Sequence, residues 1–250
     1  MIKQLTIVIL TSNEEENIVA VINNARKLTN NVLVLDCGST DATVVLAEQA
    51  GAQVAFRAWR GDFAAQRNYA LSLVTTEWVL YLDADERMDE TLLAVIEQAV
   101  TANADNCYEM RRYTTAFNTE FNHGPLAPDL VLRLFKVKHG HWENPVHESL
   151  VCNDKKVRLN GVLKHYTYVT WEQWVNKMDK YSTIWAHNAF QKGKKTSLSS
   201  VLVHGIGAFV KMYFFKAGIL DGAWGLIMCF NNSFYVMQKY LKLYNMQNNY

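Results

Sequence analysis

Hydrophobic residues along the first hundred positions keep two spacings in turn. Leu5–Leu10, "LTIVIL", is an apolar, β-branched run bounded by polar residues, which predicts a strand buried on both faces. Ile18, Val21, Ile22, Ala25 and Leu28 then recur at helical spacing, with Ser12 and Glu15 placed as a capping box ahead of them. Val32–Leu35 predicts a second strand. The helix after it carries Val44, Val45 and Ala47, with Ser39 or Thr40 as its cap and Gly51 at its end. Gln53–Phe56 reads as a short strand, Phe63–Leu73 as a helix, Trp78–Leu82 as a strand and Asp89–Ala102 as a helix.

Strands alternating with helices predict an α/β fold with parallel pairing, whose ligand crevice lies beyond the carboxyl ends of the strands. The polar clusters fall there. Thr11-Ser12-Asn13-Glu14 follows the first strand, Asp36-Cys37-Gly38-Ser39-Thr40-Asp41 the second, and Asp83-Ala84-Asp85-Glu86 the fourth. After Ala102 the pattern changes to two longer strands, Tyr108–Phe117 and Leu130–Val137, around a loop holding His123, Gly124, Pro125 and Pro128.

Composition narrows the reading. In 250 residues, 50% hydrophobic and 12% aromatic, there is material for a real core, and disorder is excluded. A net charge of +1 argues against a nucleic-acid partner. That charge is uneven: from Tyr181 onward seven lysines face Asp221 alone, a net +6 that suits an anionic surface and leaves the rest at −5. The four cysteines, Cys37, Cys107, Cys152 and Cys229, are widely spaced, which predicts neither disulfide nor thiolate metal site and favours a reducing cytoplasm. The N-terminal apolar run reads as a strand and not as a signal peptide.

Two carboxylates two residues apart at the end of a buried strand repel and lose hydration, so they call for a cation or hydrogen-bond donors. Divalent Mg²⁺ or Mn²⁺ answers that need, taking one or two carboxylates and filling its other positions with water and phosphate oxygens. In order and spacing, "TIVILTSNEEENI", "VLVLDCGSTDAT", "GDFAAQRNYAL" and "WVLYLDADE" resemble the nucleotide-sugar half of the inverting family 2 glycosyltransferases. Within that family the chain is most similar to the lipopolysaccharide core β-1,4-glucosyltransferases acting on heptose.

The resemblance implies a Rossmann-like, GT-A type domain with a mostly helical C-terminal extension. Residues 1–105 would form the nucleotide-sugar half, 106–170 the acceptor and catalytic half, and 171–250 the extension. It also implies that Thr11, Glu14, Asp36 and Asp41 lie against uracil and ribose, that Arg67 and Asn68 line the donor pocket, and that Asp83 faces the ribose. Asn13, Ser39, Gly61 and Ala84 complete the nucleotide-sugar set, and Asp85 holds the metal on the diphosphate. The implied donor is UDP-glucose and the implied acceptor a glycolipid of the lipopolysaccharide inner core.

Inverting transfer needs a base for the acceptor hydroxyl, and Glu148 in "HWENPVHESL" is the candidate, with His147 orienting it. His165 in "LKHYTY" either completes the metal's coordination, contacts the diphosphate, or packs as a strand histidine. The Q-x-x-R-W motif of processive members is absent, which favours addition of a single sugar. Another sugar or acceptor, or a nucleotidyltransferase with its own metal and paired carboxylates, is the alternative. From Leu198 to Tyr244 the chain is apolar and aromatic but broken by Lys211, Lys216 and Asp221, so no membrane-spanning window is expected. An interfacial helix on the inner face of the cytoplasmic membrane is predicted instead.

Overall fold

The computed structural model of the chain describes residues 1–145 and 148–249, in two compact units. One comprises Met1–Arg112 and Asp129–His165, the other Tyr113–Pro128 and Tyr166–Tyr250.

In the first unit the predicted alternation is present as β1 (Leu5–Thr11), α1 (Ile18–Ala25), β2 (Val32–Asp36), α2 (Thr43–Gln49), β3 (Gln53–Phe56), α3 (Phe63–Leu73) and β4 (Trp78–Asp83). After β4 come β5 (Glu86–Met88), α4 (Glu90–Ala102), β6 (Asn106–Ala116), β7 (Thr119–Glu120) and β8 (Asp129–Lys136). A two-stranded hairpin, β9 (Gly140–Glu143) with β10 (Ser149–Cys152), precedes β11 (Lys155–Tyr168). The main sheet runs β3-β2-β1-β4-β8-β6-β11-β5, parallel from β3 to β4 and antiparallel where β8 joins β4. The expected α/β sheet is therefore borne out, with an antiparallel extension.

Strand β4 shows why an unbroken apolar run belongs there. Trp78, Leu80 and Leu82 point into one core with α1 and α4, while Val79 and Tyr81 point into the other with Phe135, Trp142 and Leu150.

Two expected caps are not formed. Helix α1 starts at Ile18 behind Asn17, because Glu15 is taken elsewhere: its N–H donates to Asp41 (3.2 Å) and its carboxylate accepts from the Ala42 N–H (3.1 Å). Helix α2 begins after Ala42, with Ser39 and Thr40 turned to other partners. Cys107 of β6 and Cys152 of β10 form a disulfide, which corrects the expectation of none and removes cysteine usage as an argument for a reducing compartment. Thiol titration of the denatured, unreduced chain is expected to find Cys37 and Cys229 only, and all four cysteines after reduction.

The second unit holds β7 and the ends of β6 and β11, and is otherwise mostly helical: α5 (Trp171–Gln191), α6 (Leu198–Val210) and α7 (Gly222–Asn249). Thr170 and Gln173 close a capping box at the start of α5. Gly205 lets α6 approach α7, where a Cβ would collide with Met237, and Ser233 donates to the Gly205 carbonyl at 2.7 Å. Helix α6 continues through a π-helical turn, Lys211–Phe215. Leu198–Phe215 has a mean hydropathy of 1.4 with 11% of it buried, long and apolar enough to cross a membrane by length and composition. That corrects the expectation of no such window.

Candidate active site

Parallel register brings three strand ends together. Leu10 of β1 stands beside Asp83 of β4, and Thr11 beside Asp36 of β2. A cavity of about 410 Å³ opens there, walled by Thr11, Ser12 and Glu14 from one strand end and Asp83, Ala84 and Asp85 from another. Arg67 of α3, Arg112 of β6 and His165 of β11 complete its polar side, and Cys37, Trp59 and Phe63 its less polar side. Thr11 Oγ1 and Arg67 Nη1 are buried with no hydrogen-bond partner among the described residues, the condition of groups that a ligand can satisfy.

Five other predicted residues, Asp36, Ser39, Asn13, Asp41 and Gly61, stand behind that wall, holding its loops. Asp36 accepts from the N–H of Gly38 (2.9 Å) and from the N–H and hydroxyl of Ser39, so its carboxylate is committed within its own turn. Asn13 donates its N–H to Ser39 Oγ (2.9 Å) and accepts from the Thr40 N–H (2.8 Å), tying the first strand-end loop to the second. Asp41 accepts from the hydroxyl of Thr43, which lowers its pKa. Gly61, at φ +79°, makes the turn into Asp62, whose side chain caps α3 by accepting from the Ala65 N–H at 2.8 Å.

Asp83 sits at the centre of an arginine cluster. Arg67 reaches Oδ1 at 2.9 Å, Arg133 of β8 reaches Oδ2 at 2.7 Å, and Arg112 lies 4.0 Å away. Burial by itself raises the pKa of Asp83, but Arg133, Arg67 and Arg112 more than reverse that and hold it well below the carboxylate range. Glu86, wholly buried, accepts from Arg112 at 3.0 Å and from the Asp83 N–H at 2.9 Å. Burial and then the charge of Asp83 push its pKa up.

Asp85 is free of that cluster. The antiparallel register of β11 on β5 puts His165 opposite Glu86, and His165 Nε2 lies 3.2 Å from Asp85 Oδ2. Two ligands of one small divalent cation stand about 3 Å apart, so a carboxylate oxygen and an imidazole nitrogen at this spacing, open to a cavity, fit Mg²⁺ or Mn²⁺. Glu14 adds to the negative side; burial raises its pKa, a hydrogen bond from Asn17 opposes this, and the charge of Asp85 adds to it.

Glu148 lines a second cavity, of about 460 Å³, which shares Asp83 and Arg112 with the first. Its Oε1 accepts from Arg67 Nε at 3.1 Å, so one guanidinium holds both Asp83 and Glu148. Asn68, expected on the donor pocket, instead donates to the Trp142 carbonyl (2.8 Å) and accepts from the Trp142 N–H (2.9 Å). It thereby pins β9, the hairpin strand that precedes Glu148, to α3. His147 lies outside the described residues.

Sequence reasoning missed Arg112, Arg133, Trp59 and Phe63. The two aromatics carried a signal: large rings in the polar turn "RAWRGDF", 44% and 42% exposed, with ring centres 4.4 Å apart. The arginines carried none, because only the antiparallel pairing of β6 and β8 brings them to Asp83.

The sequence model of glycosyl transferase family 2 matches residues 6–155. An uncharacterized glycosyltransferase of Rickettsia prowazekii is 31% identical over 238 residues, covering 90% of this chain and 81% of the relative. The lipopolysaccharide core biosynthesis glycosyltransferase LpsC of Rhizobium meliloti is 25% identical over 250 residues, covering 96% and 92%. Among solved structures, glucosyl-3-phosphoglycerate synthase from Mycobacterium tuberculosis, in complex with Mn²⁺, UDP and glucosyl-3-phosphoglycerate, overlaps 45% of this chain and 44% of its own at TM-score 0.39 and 20% identity.

Proposed function

The chain belongs to glycosyl transferase family 2 and is a glycosyltransferase, and from that premise we propose that it moves one hexose, glucose from UDP-glucose, onto a glycolipid of the lipopolysaccharide inner core, with inversion. The observation that carries the mechanism is the pair of cavities meeting at Asp83 and Arg112, the strand-end cavity on one side and the Glu148 cavity on the other. The resemblance of LpsC supports the acceptor class.

In this reading Thr11 and Glu14 face uracil and ribose, and Trp59 and Phe63 give the base an apolar wall. Asp36, Asn13, Ser39 and Asp41 shape the two strand-end loops from behind, and Gly61 the turn into α3. Asp83 and Ala84 border the ribose and sugar, with Asp83 acting together with the arginines that hold it. Asp85 and His165 would hold Mg²⁺ or Mn²⁺, which supplies positive charge against the diphosphate. The acceptor hydroxyl enters from the second cavity. Its oxygen bonds to the anomeric carbon on the face opposite the diphosphate as the carbon–phosphate-oxygen bond breaks, and its proton passes to Glu148. Arg67 grips Glu148 through Oε1, leaving Oε2 for that proton. In this reading residues 1–105 serve the donor, 106–170 the acceptor apart from Arg112 and His165, which line the donor cavity, and 171–250 a membrane surface.

The exposed apolar stripe on α6, Leu202, Val203, Ile206 and Val210, with Phe214 and Phe215 beyond it, supports peripheral contact with the inner face of the cytoplasmic membrane.

Asp85→Asn tests the metal site. It is expected to weaken Mn²⁺-dependent UDP binding by roughly tenfold or more in calorimetry while leaving the melting temperature near wild type, since the side chain is nearly isosteric and outside the arginine cluster. Unchanged metal-dependent affinity would remove Asp85 from the site. A screen of sugar nucleotides for metal-stimulated hydrolysis tests the donor: a preference for another sugar over UDP-glucose overturns that part.

A further inference from the structure

Lys194 and Lys239 share one aromatic ring. Lys194 Nζ lies 5.0 Å from the ring centre of Trp185, and Lys239 Nζ lies 5.1 Å from it. Each also rests on a tyrosine, Lys194 on Tyr240 at 5.0 Å and Lys239 on Tyr235 at 4.8 Å. The two ammonium groups therefore stand within about 10 Å of each other, no more than a Debye length at ordinary salt. Neither ends on a carboxylate among the described residues; the hydrogen bond at Lys194 Nζ is to the Tyr240 hydroxyl, at 3.4 Å. Lys136 and Lys242, by contrast, reach Asp105 at 2.8 Å and Asp179 at 2.6 Å.

This arrangement is the mirror image of paired carboxylates at a strand end. Like charges brought together on apolar rings lose hydration and repel, and a counter-ion relieves both costs. Burial, and then the charge of Lys194, push Lys239 below the usual lysine range, as that reasoning requires.

We propose that Lys194 and Lys239, gathered on Trp185, bind a phosphate group. A phosphate has enough anionic oxygens to accept from both ammonium groups, and the flexible lysine stems allow both to close on it. The rings beneath gather both cations on one patch, Lys239 half-buried and Lys194 exposed, and hold them there more often than open solvent would. The headgroup of an anionic phospholipid and free inorganic phosphate share this chemistry. The first deepens the membrane part of the proposal above, and only that assignment of source rests on it.

Intrinsic fluorescence of the full chain, with Trp185→Phe subtracted to isolate that ring, reads the site directly. The titrants are inorganic phosphate, vesicles of phosphatidylcholine, and vesicles of phosphatidylcholine mixed with an equal part of phosphatidylglycerol. The Trp185 signal is expected to respond to the phosphatidylglycerol vesicles. Lys194→Ala and Lys239→Ala are each expected to weaken that binding roughly fivefold, while Lys3→Ala, in the other unit, leaves it unchanged. A response to inorganic phosphate with the same variant dependence also upholds the site and assigns free phosphate as its ligand. No Trp185 response to either phosphate source overturns the site. So does a loss as large in Lys192→Ala and Lys195→Ala as in Lys239→Ala, since that describes diffuse attraction. Metal-stimulated hydrolysis of UDP-glucose should be unchanged in the lysine variants; its absence from the wild-type chain would count against the transferase reading and leave the phosphate site standing.

Discussion

Arg133→Leu is expected to destabilise the protein by about 3 kcal/mol, the lower end of the cost of removing one partner from a buried ion pair. The side chain is 7% exposed and reaches both Asp83, at 2.7 Å, and Glu86, at 3.5 Å. Arg67 and Arg112 remain beside Asp83, which is why the loss stays at the lower end. Glu86 has less cover. Its pKa is already raised by burial and by Asp83, and losing Arg133 raises it further. A carboxyl whose folded-state pKa is raised costs stability above that pKa and ceases to do so once protonated. The Glu86 part of the defect is therefore full at alkaline pH and shrinks as pH falls through its folded-state pKa. Glu86→Gln in the Arg133→Leu background should restore more than about 1 kcal/mol at pH 8, because the amide needs no counter-charge. Chemical denaturation of the four proteins of this cycle measures both effects. A defect independent of pH, with no rescue by Glu86→Gln, would mean that Arg133 contributes by packing alone.

How much of this was legible in the sequence depends on the distance over which each feature is specified. Strands β1, β2 and β4, with their buried runs, and the polar clusters at their ends follow from local spacing, because a parallel sheet covered on both faces requires them. Thr11, Glu14, Asp83, Ala84 and Asp85 all reach the cavity that this rule foretells. The helix starts differ from the local pattern where side chains that could cap bind between loops: Glu15 turns to Asp41 and Ala42, and Ser39 to Asp36 and Asn13. Those partners are more than twenty positions apart except for Asp36, and no local pattern encodes them. Arg112 and Arg133 were invisible for the same reason, as was the disulfide, whose cysteines are 45 positions apart and meet only after the β9–β10 hairpin packs against the main sheet. Asn68 had the right neighbourhood in the sequence and a different task in space, gripping the backbone of Trp142.

Glu148→Gln is expected to lower the rate of sugar transfer by roughly 10²- to 10⁴-fold, the scale on which a positioned general base contributes. The substitution separates chemistry from architecture because a glutamine can still present a carbonyl oxygen to Arg67 Nε, where Glu148 Oε1 now accepts at 3.1 Å. Donor binding should stay within about twofold of wild type, since Glu148 lines the second cavity and not the strand-end one. Stopped-time transfer assays and UDP calorimetry on the same preparation read the two quantities. The competing role for Glu148 is that of a counter-ion to Arg67, which is itself buried and linked to Asp83. That role predicts a different outcome, in which Gln lowers the melting temperature and leaves transfer by the folded fraction near wild type. Arg67→Lys sharpens the distinction. A lysine keeps the positive charge but cannot reach Asp83 and Glu148 from one planar fork, so Glu148 loses its fixed orientation. If Glu148 is the base, Arg67→Lys should reduce turnover in the Glu148 protein and have little further effect in the Glu148→Gln protein, because the step that needed the orientation is already gone.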